Sequence, residues 1–287
     1  MAKPDIQMRM EKKLKGRSKL ATLVGVVRKV ERIVSDRDAS AHELSAVIGA
    51  DAVLTAKILQ VVNSAGVAVG RRVGNVDEAV VILGFERVRT ICAGLMSGNV
   101  TTAISVGDVS MSELWCHAVA TSAGVDHLHR RFLKETGQKE ASTAGLLCNI
   151  GRIIIFEWFP EESALIVDLM RKTGVPMIDA EKQVLGATHA EIGFWASVYW
   201  DFDAMVSNII RHHHGPVSSQ ATDLVNLCYV CAQAKFAGSP GEPKMVHLLP
   251  GLFGRLELDE TLLDDILKEL DEVYLSLSPV FEMMRHS

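Results

Sequence analysis

Five of the ten histidines stand where they could work together: His117, His189 and the consecutive His212, His213 and His214. Imidazole titrates near neutrality and its neutral form ligates metals, so acid–base chemistry and metal binding both begin with such groups. Either use needs several of them at one place, which the facing helices of a bundle can provide. A plainer reading stands beside it. A lone buried histidine is more often a hydrogen-bonded core residue, and three in a row at a helix C-terminus complement the helix dipole. A second oddity is Cys148-Asn149, a soft and a polar side chain inside the apolar string Ala144-Gly145-Leu146-Leu147-Cys148-Asn149-Ile150-Gly151. Cys228-Tyr229-Val230-Cys231 has the spacing of a metal or redox pair, but no second pair accompanies it and its surroundings are apolar. A core role fits it better. Phosphate-binding GxGxxG and GxxxxGK[ST] loops, the Gly-x-Ser-x-Gly elbow and HExxH are all absent.

The elements that must carry these residues read as helices. Leu20, Leu23, Val24, Val27, Val30 and Ile33 recur in steps of three and four, the mark of an amphipathic helix. Ser40 with Glu43 makes a capping box for a helix reaching Ile48, and Asp51 opens another that ends near Gly66. Asn75 caps a helix that stops at Gly84, and a further one runs from Phe85 to about Met96. Gly98 to Val109 is low in helical signal and reads as a linker. Ser112 caps the helix bearing His117, and one continuous central helix is expected from about Glu140 to Trp158. Pro160 begins the next, closed by Gly174 and Pro176, and Thr188-His189-Ala190-Glu191 is a capping box for a helix through Tyr199. Helices over Met205–His213, Ala221–Ala237 and Leu256–Leu277 complete the pattern. Asn63 and Ser64 end a helix just before a Gly- and Arg-containing loop. Their first reading is structural, bonding the following turn. Arg71 and Arg72 in that loop leave a partner- or anion-facing role open.

Composition narrows the class. The 287 residues are 48% hydrophobic, enough for a large core, and only 6% aromatic, which favours helices over a β-sandwich. The net charge of -5 supplies no global field for nucleic acid. Basic residues crowd the N-terminus (Lys3, Arg9, Lys12, Lys13, Lys15, Arg17, Lys19) and acidic ones the C-terminus (Glu257, Asp259, Glu260, Asp264, Asp265, Glu269, Asp271, Glu272). These read first as solvated helix faces, with contact between the two ends as the sharper alternative. Five cysteines in apolar settings read as reduced core residues. Without an apolar leader or a run long enough to span a bilayer, a cytoplasmic setting is expected, with no membrane contact.

In order along the chain, several strings resemble an HDOD domain. They are Asp51-Ala-Val-Leu-Thr-Ala-Lys-Ile-Leu-Gln-Val-Val-Asn63-Ser64-Ala65, Val73 to Phe85, Leu114-Trp115-Cys116-His117-Ala118 and Ala144 to Gly151. His189-Ala190-Glu191-Ile192-Gly193 and Ile210-Arg211-His212-His213-His214 continue the series. HDOD domains are similar to HD phosphohydrolases, in which a His, a His-Asp doublet and a later Asp hold metal ions that activate water. Carried over by position, His117 matches the first ligand, Cys148 and Asn149 fall on the doublet, and Tyr229 falls near the last. A neutral amide, a soft thiol and a phenol with a pKa of about 10 do not replace ionised carboxylates around a divalent ion.

The resemblance implies an all-α, multi-helical chain: a basic amphipathic helix at 1–35, an HDOD domain at 36–240, and an acidic helical extension at 241–287. Within the domain, about five short helices (36–98) would pack on an HD-like bundle (110–240). It further implies a non-catalytic protein of bacterial signal transduction, binding a protein partner or small ligand, with no cofactor and no metal. His117, Cys148, Asn149, His189, His213 and Tyr229 are the candidate pocket for a nucleotide or anion; a hydrogen-bonded polar core is the competing reading. A divergent metal-dependent phosphohydrolase using the remaining histidines is the alternative, a nucleic-acid binder the third, and homo-oligomerisation stays open.

Overall fold

The computed structural model describes residues 5–15, 33, 40–49, 55, 58–59, 61–63, 73–85, 87–88, 91–92, 105–106, 109–133, 138–215, 219–235 and 248–285. Within them the chain is helical apart from one short two-stranded ribbon. Helix α1 (Ile6–Leu14) starts at Asp5, whose side chain accepts from the Gln7 N–H. Helix α2 (Ala41–Gly49) has the expected capping box: the Ser40 N–H donates to Glu43 Oε2 at 2.8 Å and the Glu43 N–H to Ser40 Oγ at 3.2 Å. Helix α3 (Val76–Leu83) is capped by Asn75, which accepts from the Glu78 N–H at 2.8 Å, and it packs on α2. Asn63 ties this region together. Its Nδ2 donates to the carbonyls of Leu59 (2.7 Å) and Val73 (2.9 Å), and its Oδ1 accepts from the Val73 N–H at 2.8 Å. That is the structural role expected of it; Ser64, Arg71 and Arg72 lie outside the described residues.

Two short strands, Ser105–Val106 and Val109–Ser110, pair antiparallel in the segment read as a linker. They lead directly into α4 (Met111–Phe132), whose N-cap is Ser110 rather than Ser112. Met111 is buried, and its place in the core lies within the helix's first turn. Helix α4 is buried on nearly every side, from Leu114 through Ala120 to Leu128, as a helix must be when it forms the axis of a bundle.

The central helix is not continuous. It divides into α5 (Gln138–Leu147) and α6 (Ile150–Trp158), with Cys148 and Asn149 at the break. Asn149 sits at φ -89°, ψ 5°, and a buried Asn that can spend its side chain on another partner is a natural place for a helix to yield. Helix α7 (Pro160–Thr173) begins on its proline and ends at Gly174, φ +68°; α8 (Met177–Leu185) follows. Helix α9 (His189–Tyr199) has both halves of the Thr188–Glu191 capping box, and α10 (Ala204–His212) and α11 (Gln220–Lys235) complete the bundle around α4 and α5.

Three C-terminal helices close the structure: α12 (Leu252–Arg255), α13 (Glu260–Ser276) and α14 (Ser278–Arg285). Arg255 grips the buried Asp223 of α11 through two bonds of 2.6 and 2.7 Å. Acidic α13 lies on α4, where His127 and Arg131 each reach Glu269 at 2.9 Å. Basic α1 lies instead on α9, with Arg9 bonded to the buried Glu162 at 2.8 Å and stacked over Phe159. Among the described residues, then, the basic and acidic ends find partners on the bundle, not on each other. All five cysteines are buried and unpaired with one another, and no helix among the described residues is long and apolar enough to cross a membrane.

Candidate functional site

Several elements send polar side chains into one largely buried cluster. His117 comes from the middle of α4, Asn149 from the α5–α6 break and Arg152 from α6. Glu181 comes from α8, His189 opens α9, His213 and His214 follow α10, and Tyr229 lies on α11. His117, Asn149, His189, His213 and Tyr229 have no solvent exposure at all.

The cluster has two parts joined by the Tyr229 ring, whose centroid lies 4.3 Å from that of His117, 5.6 Å from His213 and 4.9 Å from His214. In the first part, His117 Nε2 stands 3.0 Å from the Tyr229 carbonyl, which can only accept, so this nitrogen carries the proton. Nδ1 is then the acceptor, and it takes a bond from Asn149 Nδ2 at 3.2 Å. Burial pushes the His117 pKa down to about 3, in keeping with a neutral ring. Both nitrogens are therefore committed to protein partners.

In the second part, Glu181 Oε2 accepts from the His189 backbone N–H at 2.8 Å and lies 2.7 Å from His189 Nδ1. Arg152 Nε is 3.4 Å from the same Nδ1. One nitrogen cannot donate to the carboxylate and accept from the guanidinium together, and the shorter contact places the proton on Nδ1. His213 Nδ1 donates to the Ile210 carbonyl at 2.7 Å. That leaves His189 Nε2 and His213 Nε2 facing each other at 3.4 Å. The His213 and His214 rings pack at 4.0 Å. Burial, with the neighbouring imidazoles and Arg152, holds both well below the ordinary histidine pKa. Burial lifts the Glu181 carboxyl to about 7, against the opposing pull of Arg152 and the His189 N–H. Asn149 Oδ1 and His214 Nε2 are buried without a hydrogen-bond partner.

Of the candidate residues, His117, Asn149, His189, His213 and Tyr229 converge. The Cys148 thiol turns instead to the Gly145 carbonyl at 3.1 Å, and burial pushes its pKa up to about 12. Sequence reasoning left out Arg152 and Glu181, and it named His214 among the histidines of interest without placing it in the pocket. A charged residue inside Ile150-Gly151-Arg152-Ile153-Ile154 was the available signal for the first. Nothing in the sequence pairs Glu181 with His189, because they lie on different helices.

The chain matches the HDOD domain family over residues 20–216. It belongs to the HDOD family. Among solved structures, it is similar to an HDOD domain protein of unknown function from Geobacter sulfurreducens, with a TM-score of 0.72 and 20% identity over 89% of this chain and 91% of that one. A proposed signal transduction protein from Marinobacter aquaeolei VT8 also gives 0.72, at 21% identity over 94% of this chain and 62% of the other. A proposed phosphohydrolase from Shewanella amazonensis SB2B gives 0.66, at 21% identity over 91% and 93%. At these identities the likeness establishes the fold. An uncharacterized protein of Treponema pallidum (strain Nichols) is 24% identical over 189 residues, 64% of this chain but only 36% of that protein's length.

The residues at the HD positions of this HDOD chain do not fit the pair of metal ions held there in HD phosphohydrolases. His117 has no nitrogen to spare, the Cys148 thiol points elsewhere, Asn149 is a neutral amide, and Tyr229 gives its carbonyl to His117. None of the four supplies an ionised carboxylate to bridge divalent ions.

Proposed function

We propose that this HDOD protein is a non-catalytic regulatory scaffold of bacterial signal transduction. The observation that carries the reading is His117: the one ligand kept at an HD position spends both nitrogens on the Tyr229 carbonyl and the Asn149 amide. A hydrolase of this class needs a metal-activated water beside its substrate, and the frame here is instead a largely buried polar core. Activity by that route would require His117 to give up its bonds and a carboxylate to arrive from elsewhere.

Binding then falls to the surface. A cleft of about 500 Å³ between α1 and α9, lined in part by Met10, Leu14, Phe194, Trp195, Val198 and Tyr199, is an apolar feature suited to a protein segment. Val198 and Tyr199 on its rim are exposed. The test of the catalytic question is a screen of phosphodiesters and nucleotides with Mn²⁺ or Mg²⁺, run on the wild type and His117→Ala. Equal background rates are expected. Turnover in the wild type that His117→Ala abolishes would refute the scaffold reading in favour of a divergent phosphohydrolase.

A further inference from the structure

Helix α1 lies before the family-matched residues 20–216 and packs on the domain from outside. Its nine residues meet their seat on three sides. Ile6, Met10 and Leu14, four apart, form one stripe and are buried. Arg9 and Lys13 flank that stripe on one side. Arg9 bonds Glu162, a carboxylate 4% exposed, at 2.8 Å. The Arg9 guanidinium and the Lys13 ammonium lie 4.8 and 5.5 Å from the centroid of the buried Phe159 ring. Gln7, Glu11 and Lys15 flank the stripe on the other side, along the cleft of about 500 Å³.

A groove recognises an amphipathic helix in this way: apolar anchors one turn apart fill it, and a charge at its edge fixes the register. Here the seat takes Φ-x-x-Arg-Φ-x-x-Lys-Φ, with Φ an apolar residue. The buried Glu162 carboxylate favours a cation over a neutral side chain, and the Phe159 face favours one again. Yet α1 fills its seat incompletely. The cleft stays open along its Gln7 edge, with Trp195 half-buried and Val198 and Tyr199 exposed on the far wall. A helix of nine residues has little stability of its own, so α1 keeps its shape only while docked.

We propose that the seat of α1, between Phe159 and Glu162 on one side and α9 on the other, is a docking groove for a basic amphipathic helix of a partner protein. Helix α1 occupies it in cis as an exchangeable strap. The partner helix carries the same five positions, and larger apolar residues on its cleft side cover Trp195, Val198 and Tyr199, which α1 leaves uncovered. Because α1 is tethered, it competes at an effective concentration on the order of millimolar, so only a helix that fits better displaces it. This proposal rests on the scaffold reading and names the kind of partner for its surface cleft. The competing arrangement is a permanent α1, which leaves its seat only when the whole bundle unfolds.

The experiment uses the full chain, with a fluorescent peptide of residues 5–15 as the probe. Ile6→Glu with Met10→Glu puts charges on the buried stripe and should release α1. The peptide should then bind the double variant at least about tenfold more tightly than the wild type, whose own α1 competes. A peptide carrying Arg9→Glu should bind the double variant at least about thirtyfold more weakly. In the wild type, hydrogen exchange of the α1 amides should run at least about a hundredfold faster than that of α4, through openings that leave the bundle folded. Where the double variant does not fold, this exchange measurement decides by itself. Amides of α1 that exchange no faster than those of α4 would overturn the proposal. So would a folded double variant that does not bind the peptide, or equal binding by both proteins. A wild-type dimer that the peptide splits would assign the groove to a second copy and overturn it too. None of these readouts depends on hydrolysis. Turnover lost on His117→Ala would therefore sink the scaffold reading and leave the groove standing, whereas failed peptide binding would sink the groove alone.

Discussion

Gly151→Ala should be among the most damaging single-methyl changes in this protein. Gly151 lies in the first turn of α6, where that helix crosses the start of α9. A Cβ at this position would overlap the His189 carbonyl oxygen. It would also stand 2.7 Å from the carbonyl carbon and 2.8 Å from the Gly193 nitrogen. Unstrained contacts of this kind begin near 3.5 Å, so the two helices must part by about 1 Å. All three atoms are backbone, and no rotamer change can relieve the overlap. Overpacking of this sort costs about 3 kcal/mol, offset by the roughly 0.5–1 kcal/mol that alanine gains over glycine within a helix. The net loss is about 2–3 kcal/mol, or a Tm lower by about 4–12 °C for a chain of this size. Urea denaturation should show a reduced midpoint with an unchanged slope. Gly49→Ala is the control, because nothing lies within 4 Å of a Cβ there, and it should be neutral or slightly stabilising. If Gly151→Ala lay within about 0.5 kcal/mol of the wild type, the close approach of α6 and α9 would be wrong, and with it the placement of His189.

Three further outcomes follow from the same contacts. His117 is held near pKa 3 when folded and titrates near 6.5 when unfolded, so its contribution to stability is complete above pH 6.5 and is lost as pH falls. Between pH 7 and 5 that loss is about 2 kcal/mol; Glu181, raised to about 7, acts in the opposite sense. Subtracting His117→Gln from wild type in urea titrations at both pH values should recover the His117 share, and parallel curves would contradict it. Asn63→Ala strands the buried Val73 N–H and should cost about 1–3 kcal/mol in the same assay, against no change if the Asn63 bonds are absent. All five cysteines are buried, and burial pushes Cys92, Cys148 and Cys231 up to about 12. A thiol reagent should therefore label the native protein slowly and count five thiols only after unfolding.

Local signals were legible because local physics produces them. The capping residues Ser40, Asn75 and Thr188, the proline start at Pro160 and the glycine stop at Gly174 all act within a turn of their own helix, and each is seen where the sequence puts it. The break at Cys148-Asn149 was not legible. The apolar run continues through it, and what interrupts the helix is Asn149 turning to His117, 32 residues away. The start of α4 was misplaced by two residues for a similar reason: Ser110 and Ser112 are both plausible caps, and only the buried place of Met111 separates them.

The sequence by itself determined the helical class, the family and the loss of ionised ligands at the HD positions, since residue type alone says that Asn149 is not a carboxylate. It could not say which nitrogen of each histidine carries the proton. That depends on what each ring meets across the bundle: the Tyr229 carbonyl for His117, Glu181 for His189, Ile210 for His213. A histidine's chemistry is set by where its one ring proton goes, and partners on separate helices decide that only once the bundle has closed.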